Sequence, residues 1–147
     1  MSVEAILKSK GSNVFTIRPE HAVADAAALM TTKRVGVAVV CDAKGVVVGV
    51  VSERDIVAGI TQFGKGVVDM PVRNVMTSPV LTCAPGDSVR AVALDALRLM
   101  QDGGFRHLPV VERGELLGIV SIGDAVNFRL RETQLETAVL RDIAVTR

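Results

Sequence analysis

GVVSERD at residues 49–55 returns as GIVSIGD at residues 118–124, an offset of 69 that keeps the order apolar, apolar, Ser, two variable residues, Asp. Such a repeat decides how every other feature is read, because each copy must then be the same supersecondary unit. Other landmarks hold nearly the same spacing: Met30 with Met100, Val35 with Phe105, Val40 with Val110 and Asp42 with Glu112 lie 70 apart. Thr16-Ile17-Arg18-Pro19 and Thr82-Cys83-Ala84-Pro85 lie 66 apart. The gain of four residues falls in the stretches 20–32 and 87–102, where it adds one helical turn and barely rotates the apolar face.

Within each copy the order of signals is the same. After the Pro, Val23, Ala26, Ala27 and Met30 in the first copy, and Val89, Val92, Ala93, Ala96 and Met100 in the second, follow the spacing of an amphipathic helix. Gly103-Gly104 stops the second helix. A hairpin follows, with strands near 36–41 and 46–51 joined through Asp42-Ala43-Lys44-Gly45, and near 107–111 and 115–120 joined through Glu112-Arg113-Gly114. A further helix begins at Ser52 or Ser121. The unit is β-α-β-β-α, an α/β architecture whose Val-rich sheet needs helices on one face and a neighbour on the other. Two units packed sheet to sheet satisfy both needs. The copies span 1–66 and 67–126, and an extension at 127–147 continues the last helix with Leu135, Val139 and Ile143 at four-residue spacing.

Composition narrows the function. Lys plus Arg is 17 against 16 Asp plus Glu, a net charge of +1, and aromatic residues are 3% with no Trp or Tyr. Neither the basic surplus nor the stacking platforms of a nucleic-acid binder are present. Mean hydropathy is +0.40, yet the most apolar stretch, 35–51, is broken by Asp42, Lys44 and Gly45 into runs too short to span a membrane. The N-terminus has no signal-peptide run, so a cytoplasmic location is expected. Cys41 and Cys83 lie 42 apart with no His or Cys beside them, which reads as two buried thiols rather than a zinc or redox site.

VRNVMTSPVLTCAPGDSV, FRHLPVVE and GIVSIGD, with a weaker first copy in VFTIRPEHAV, VGVAVVCD and GVVSERD, resemble a tandem cystathionine-β-synthase (CBS) domain pair, or Bateman module, over about residues 1–126. The resemblance implies two repeats related by a pseudo-two-fold axis. It also implies clefts between them that bind an adenosine-containing ligand such as AMP, ATP, S-adenosylmethionine or NAD. Members of this family mostly regulate another protein, pair as homodimers and need no cofactor beyond such a ligand.

The resemblance assigns the ribose diol to Asp55 and Asp124, and ribose or phosphate oxygens to Ser52 and Ser121. Strand-to-helix junctions of this kind also offer free N–H groups and a positive dipole end to a phosphate. A second reading of Ser-x-x-Asp is the capping box, in which the Ser and the acid satisfy backbone N–H groups at the helix start and no ligand is involved. Thr16 and Thr82, each beginning a short strand, are candidates for base or ribose contact. Arg106 and His107 supply two potential cations for phosphate, and Leu108 and Pro109 follow them in the ligand-binding set. In the first copy Val37 and Ala38 stand at the matching strand, where Arg54 offers a compensating charge. Lys8 and Lys10 lie near the start of the chain, within reach of a phosphate. No P-loop, metal-ligand cluster or nucleophile with a neighbouring base is written in the sequence, so no enzyme is expected. The competing reading is a structural or dimerisation module with empty clefts.

Overall fold

The structure, a computed structural model, describes residues 2–103 and 106–145. Gly104, Phe105 and Arg147, and the side chains of Ala96 and Met100, all used above, lie outside the described residues. Helix α1 (Val3–Lys10) precedes the repeated unit. The first copy runs β1 (Thr16–Ile17), α2 (Val23–Lys33), β2 (Val37–Cys41), β3 (Val47–Ser52) and α3 (Glu53–Phe63). Two 3-10 turns, Gly64–Asp69 and Val72–Asn74, lead to α4 (Val89–Gly103), β4 (His107–Glu112), β5 (Glu115–Ser121) and α5 (Ile122–Val145). Helix α4 has 15 residues against 11 in α2, the extra turn that the change of offset requires.

The two sheets are near copies. In the first, β1 runs parallel to β2, with Thr16 opposite Val39, and β2 runs antiparallel to β3. In the second, β4 and β5 pair antiparallel. There the counterpart of β1 shrinks to a single parallel bridge between Cys83 and Val110. Thr82 is therefore an exposed residue before that bridge, not the start of a strand. Both hairpins break register at the same place, between Val40 and Cys41 and between Val110 and Val111. The hairpin turns form as their residues demand. Asp42 Oδ1 accepts the N–H groups of Lys44 and Val46 at 2.9 and 3.0 Å, and Arg113 and Gly114 both take positive φ in the second turn.

Alternation along the strands sends side chains to opposite faces. Ala38, Val40 and Val51 face a cluster with Ile17, Ala26 and Met30 of the first copy, while Leu108, Val110 and Val120 face one with Val89, Val92 and Ala125 of the second. Val39, Cys41 and Val50 meet Ile119 in a third cluster between the sheets, so the copies pack sheet to sheet.

Packing does not follow chain order at the segments that lead into each copy. Val3, Ile6 and Leu7 of α1 belong to the core of the second copy, and Val72, with Val75 and Met76 against it, belongs to the core of the first. Each leading segment crosses to the other sheet, where a glycine lets it lie close. A Cβ on Gly49 would come within 2.8 Å of the Thr77 carbonyl oxygen, and one on Gly118 within 2.9 Å of Leu7 Cδ2. Among the described residues no helix is long and apolar enough to cross a membrane.

Candidate functional site

Ser52 and Ser121 end β3 and β5 and cap the helices that follow. Asp55 Oδ2 accepts the Ser52 N–H at 2.8 Å and the Ser52 hydroxyl at 3.1 Å, and the Asp55 N–H donates to Ser52 Oγ at 3.3 Å. Asp124 Oδ2 accepts the Ser121 N–H at 2.9 Å, and the Asp124 N–H donates to Ser121 Oγ at 3.0 Å. The capping box thus forms in both copies. It occupies one carboxylate oxygen of each aspartate and leaves Oδ1 for other partners.

The partners beyond the cap differ between the copies, and among the described residues only in the first do they use Oδ1. Asp55 Oδ1 accepts the Thr77 hydroxyl at 3.1 Å. Asp124 instead holds Lys10, whose Nζ donates to Oδ2 at 2.6 Å and to the Ile119 carbonyl at 3.1 Å. Among the described residues no donor sits on Asp124 Oδ1. Burial alone would raise the Asp124 carboxyl, but Lys10 and the Ser121 hydrogen bonds hold it below its ordinary 3.8.

Asp124 and Ser121 line a cleft of about 280 Å³ between the copies. The first copy supplies Val35, Gly36 and Val37, the leading segment supplies Lys10, Asn13, Val14 and Phe15, and the second supplies His107 and Ile119. The cleft's apolar lining suits a flat base, and its polar lining includes a carboxylate, an ammonium and an imidazole. His107 stands opposite Ser121 in register, as Val37 stands opposite Ser52. Burial first, and then the charge of Lys10, lower the His107 imidazole below 6.5 against the opposing pull of Asp124 and Asp55.

Of the residues expected from sequence, Val37, His107, Ser121 and Asp124 meet in this cleft. Ser52 and Asp55 form the matching junction with Thr77 in the first copy. Ala38 and Leu108 point into the two helix-side cores, Pro109 is fully buried, and none of the three lines the cleft. Thr16, Arg54, Thr82 and Arg106 are exposed and do not line the cleft. Arg106 presents its carbonyl to the Ile122 N–H at 2.9 Å, as Gly36 does to Glu53 at 3.0 Å. Lys8 is exposed and pairs with Glu4 at 3.7 Å. The sequence reading gave Lys10 no particular partner, and it passed over Asn13, Val14 and Phe15. The one available signal was their position ahead of Thr16. Both thiols are buried, and burial followed by the charge of Asp87 pushes Cys83 up to about 12.

The model of the CBS domain matches twice, over residues 3–61 and 72–131. The CBS domain-containing protein YhcV of Bacillus subtilis is 35% identical over 117 residues, 79% of either chain. Among solved structures, the CBS-domain containing protein ATU1752 from Agrobacterium tumefaciens superposes with a TM-score of 0.75 at 36% identity, covering 87% of this chain and 92% of that one. The CBS domain protein PAE2072 from Pyrobaculum aerophilum, solved in complex with AMP, superposes with a TM-score of 0.69 at 29% identity, covering 84% and 89%. The chain spans 65% of the length of a curated relative from Acidianus ambivalens and 56% of one from Methanopyrus kandleri.

Proposed function

The chain belongs to the CBS domain family, and from that premise we propose that it is a regulatory module whose clefts bind an adenosine-containing ligand and report it to another protein. The observation that carries this is the aspartate of each junction, held at the mouth of a strand by its own helix cap. In Asp124 one oxygen serves the cap and the other is free to accept a ribose hydroxyl, in a cleft whose apolar lining of Val14, Phe15, Val35 and Val37 suits an adenine. The AMP complex of PAE2072 supports the ligand class. Capping and binding are then compatible duties of one residue.

Calorimetric titration with AMP, ATP, S-adenosylmethionine, NAD and adenosine tests the reading. At 100 times the dissociation constant a single bound ligand stabilises the fold by about 2.7 kcal/mol. Asp124→Ala removes binding at its own cleft and leaves that at Asp55, and Asp55→Ala does the reverse. Failure of every ligand to bind or to raise the melting temperature refutes the sensing function. No group in the cleft is assigned a catalytic role, and bound nucleotide is expected to be recovered intact.

A dimeric form is favoured by the last helix, where Leu135, Val139, Leu140 and Ile143 are each at least 50% exposed. Phe128 packs on the second core, so the informative truncation leaves it in place and removes residues 134–147. Light scattering should show a homodimer for the full chain and dissociation for the truncated one.

A further inference from the structure

Lys10 stands where the other half of the molecule uses Thr77. In the first copy the Thr77 N–H donates to the Val50 carbonyl at 2.8 Å and the Thr77 hydroxyl to Asp55 at 3.1 Å. The matching acceptors 69 positions along are Ile119 and Asp124, and the Lys10 ammonium takes both, at 3.1 and 2.6 Å. One charged group on a flexible stem replaces a main-chain amide and a short side chain.

The two arrangements respond differently to an incoming ligand. Thr77 is fixed, because its N–H and carbonyl both pair with Val50. Lys10 is held only by its side chain, which is 35% exposed, while Val3, Ile6 and Leu7 keep α1 docked whatever that side chain does. A ribose diol that places one hydroxyl on the free Oδ1 and brings the other to Oδ2, beside the Ser121 N–H, competes with the ammonium there. A neutral ligand leaves the displaced ammonium in a half-buried cleft without its counterion, which is unfavourable. A phosphate supplies a replacement counterion in the same cleft. The aspartate of the first copy has neutral partners in Ser52 and Thr77, and among the described residues no cation is paired with it.

Resting on the adenosine reading above, we propose that Lys10 is a displaceable internal cation which makes the Asp124 cleft selective for adenosine ligands carrying an anionic group, passing from the aspartate to that group on binding. The Asp55 cleft, with Thr77 in its place, discriminates less between adenosine and AMP.

The test is calorimetric titration of the full chain with AMP and with adenosine, in an Asp55→Asn background so that the Asp124 cleft is read alone. Lys10→Met should lower the ratio of AMP to adenosine affinity by about tenfold, the scale of one charge-assisted contact, through weaker AMP binding and unchanged or tighter adenosine binding. Lys10→Arg should keep most of the ratio. Lys8→Met, on the solvent side of the same helix, is the control and leaves it alone. NMR titration of His107 is the second readout: in the unliganded protein, Lys10→Met moves its midpoint upward. Should Asp55→Asn fail to fold, the same ratio is read as the tighter AMP phase of the otherwise unaltered chain. An unchanged ratio in Lys10→Met overturns the proposal while the adenosine reading stands. Absence of AMP and adenosine binding in the unaltered chain overturns both.

Discussion

Gly49 and Gly118 occupy the same position in the two copies, yet replacing each with Ala should have unequal effects. At Gly49 the added methyl meets the Thr77 carbonyl oxygen at 2.8 Å and Met76 Sδ at 2.9 Å. The Thr77 main chain cannot retreat without stretching its 3.1 and 2.8 Å hydrogen bonds with Val50 and lifting its hydroxyl away from Asp55. At Gly118 the nearest atoms are Leu7 Cδ2 and Cδ1, at 2.9 and 3.5 Å, the far end of a side chain that can change rotamer. Overpacking costs about 1–3 kcal/mol, and exchanging a strand Gly for Ala offsets about 0.5–1 kcal/mol of it. Gly49→Ala takes the upper end and loses about 2 kcal/mol; Gly118→Ala takes the lower and loses about 0.5 kcal/mol or less. For a chain of this size those figures correspond to roughly 4–8 °C and under about 2 °C in melting temperature. Differential scanning calorimetry of the two variants without ligand measures this directly. Equal shifts, or a larger one for Gly118→Ala, would refute the argument that the stiffness of the neighbour, rather than the bare distance, sets the cost.

Two further outcomes are expected. Ile6, 2% exposed in the second core, should cost about 2–5 kcal/mol when cut back to Ala, and the lost hydrogen-exchange protection should fall on β5 and α5 before α2. The imidazole of His107 is held neutral below 6.5 in the folded state, so the unfolded chain takes up its proton first. Stability should therefore be flat above about pH 7.5, fall as pH drops through 6.5, and level off once the folded group protonates too. Urea midpoints at pH 7.5 and 5.5 measure the difference, and His107→Gln should flatten it. A midpoint that rises on acidification would contradict the burial of this group.

Most of the fold was legible because the repeat is written twice in residues with strong local meaning. The Val-rich strands, the turns at Asp42 and Arg113-Gly114, and the serines before α3 and α5 each state their conformation within a few residues. Helix α1 was not read. Its eight residues are too few for a periodic signal, and Val3, Ile6 and Leu7 are buried in a cluster whose other members begin at Cys83. The site followed the same division. In the candidate site the motif marks the capped junctions Ser52-Asp55 and Ser121-Asp124, whereas nothing local ties Lys10 to a partner 114 positions distant. His107 lines the cleft and its neighbour Arg106 is exposed outside it, a difference that a strand start does not write in the sequence.

The crossing of the leading segments makes the two halves unequal as pieces of chain. All that the first core needs, from Ile17 to Met76, is contiguous and can close while synthesis continues. The second core is split: Val3, Ile6 and Leu7 leave the ribosome first and wait, apolar and uncovered, for Val120 and Ala125 to be made. A gene divided after Ser78 would strand α1 on the wrong fragment, giving a first half with a surplus helix and a second half with an open core. A circular permutant opened after Gly11, with α1 carried behind α5, would instead give each core an unbroken stretch of chain.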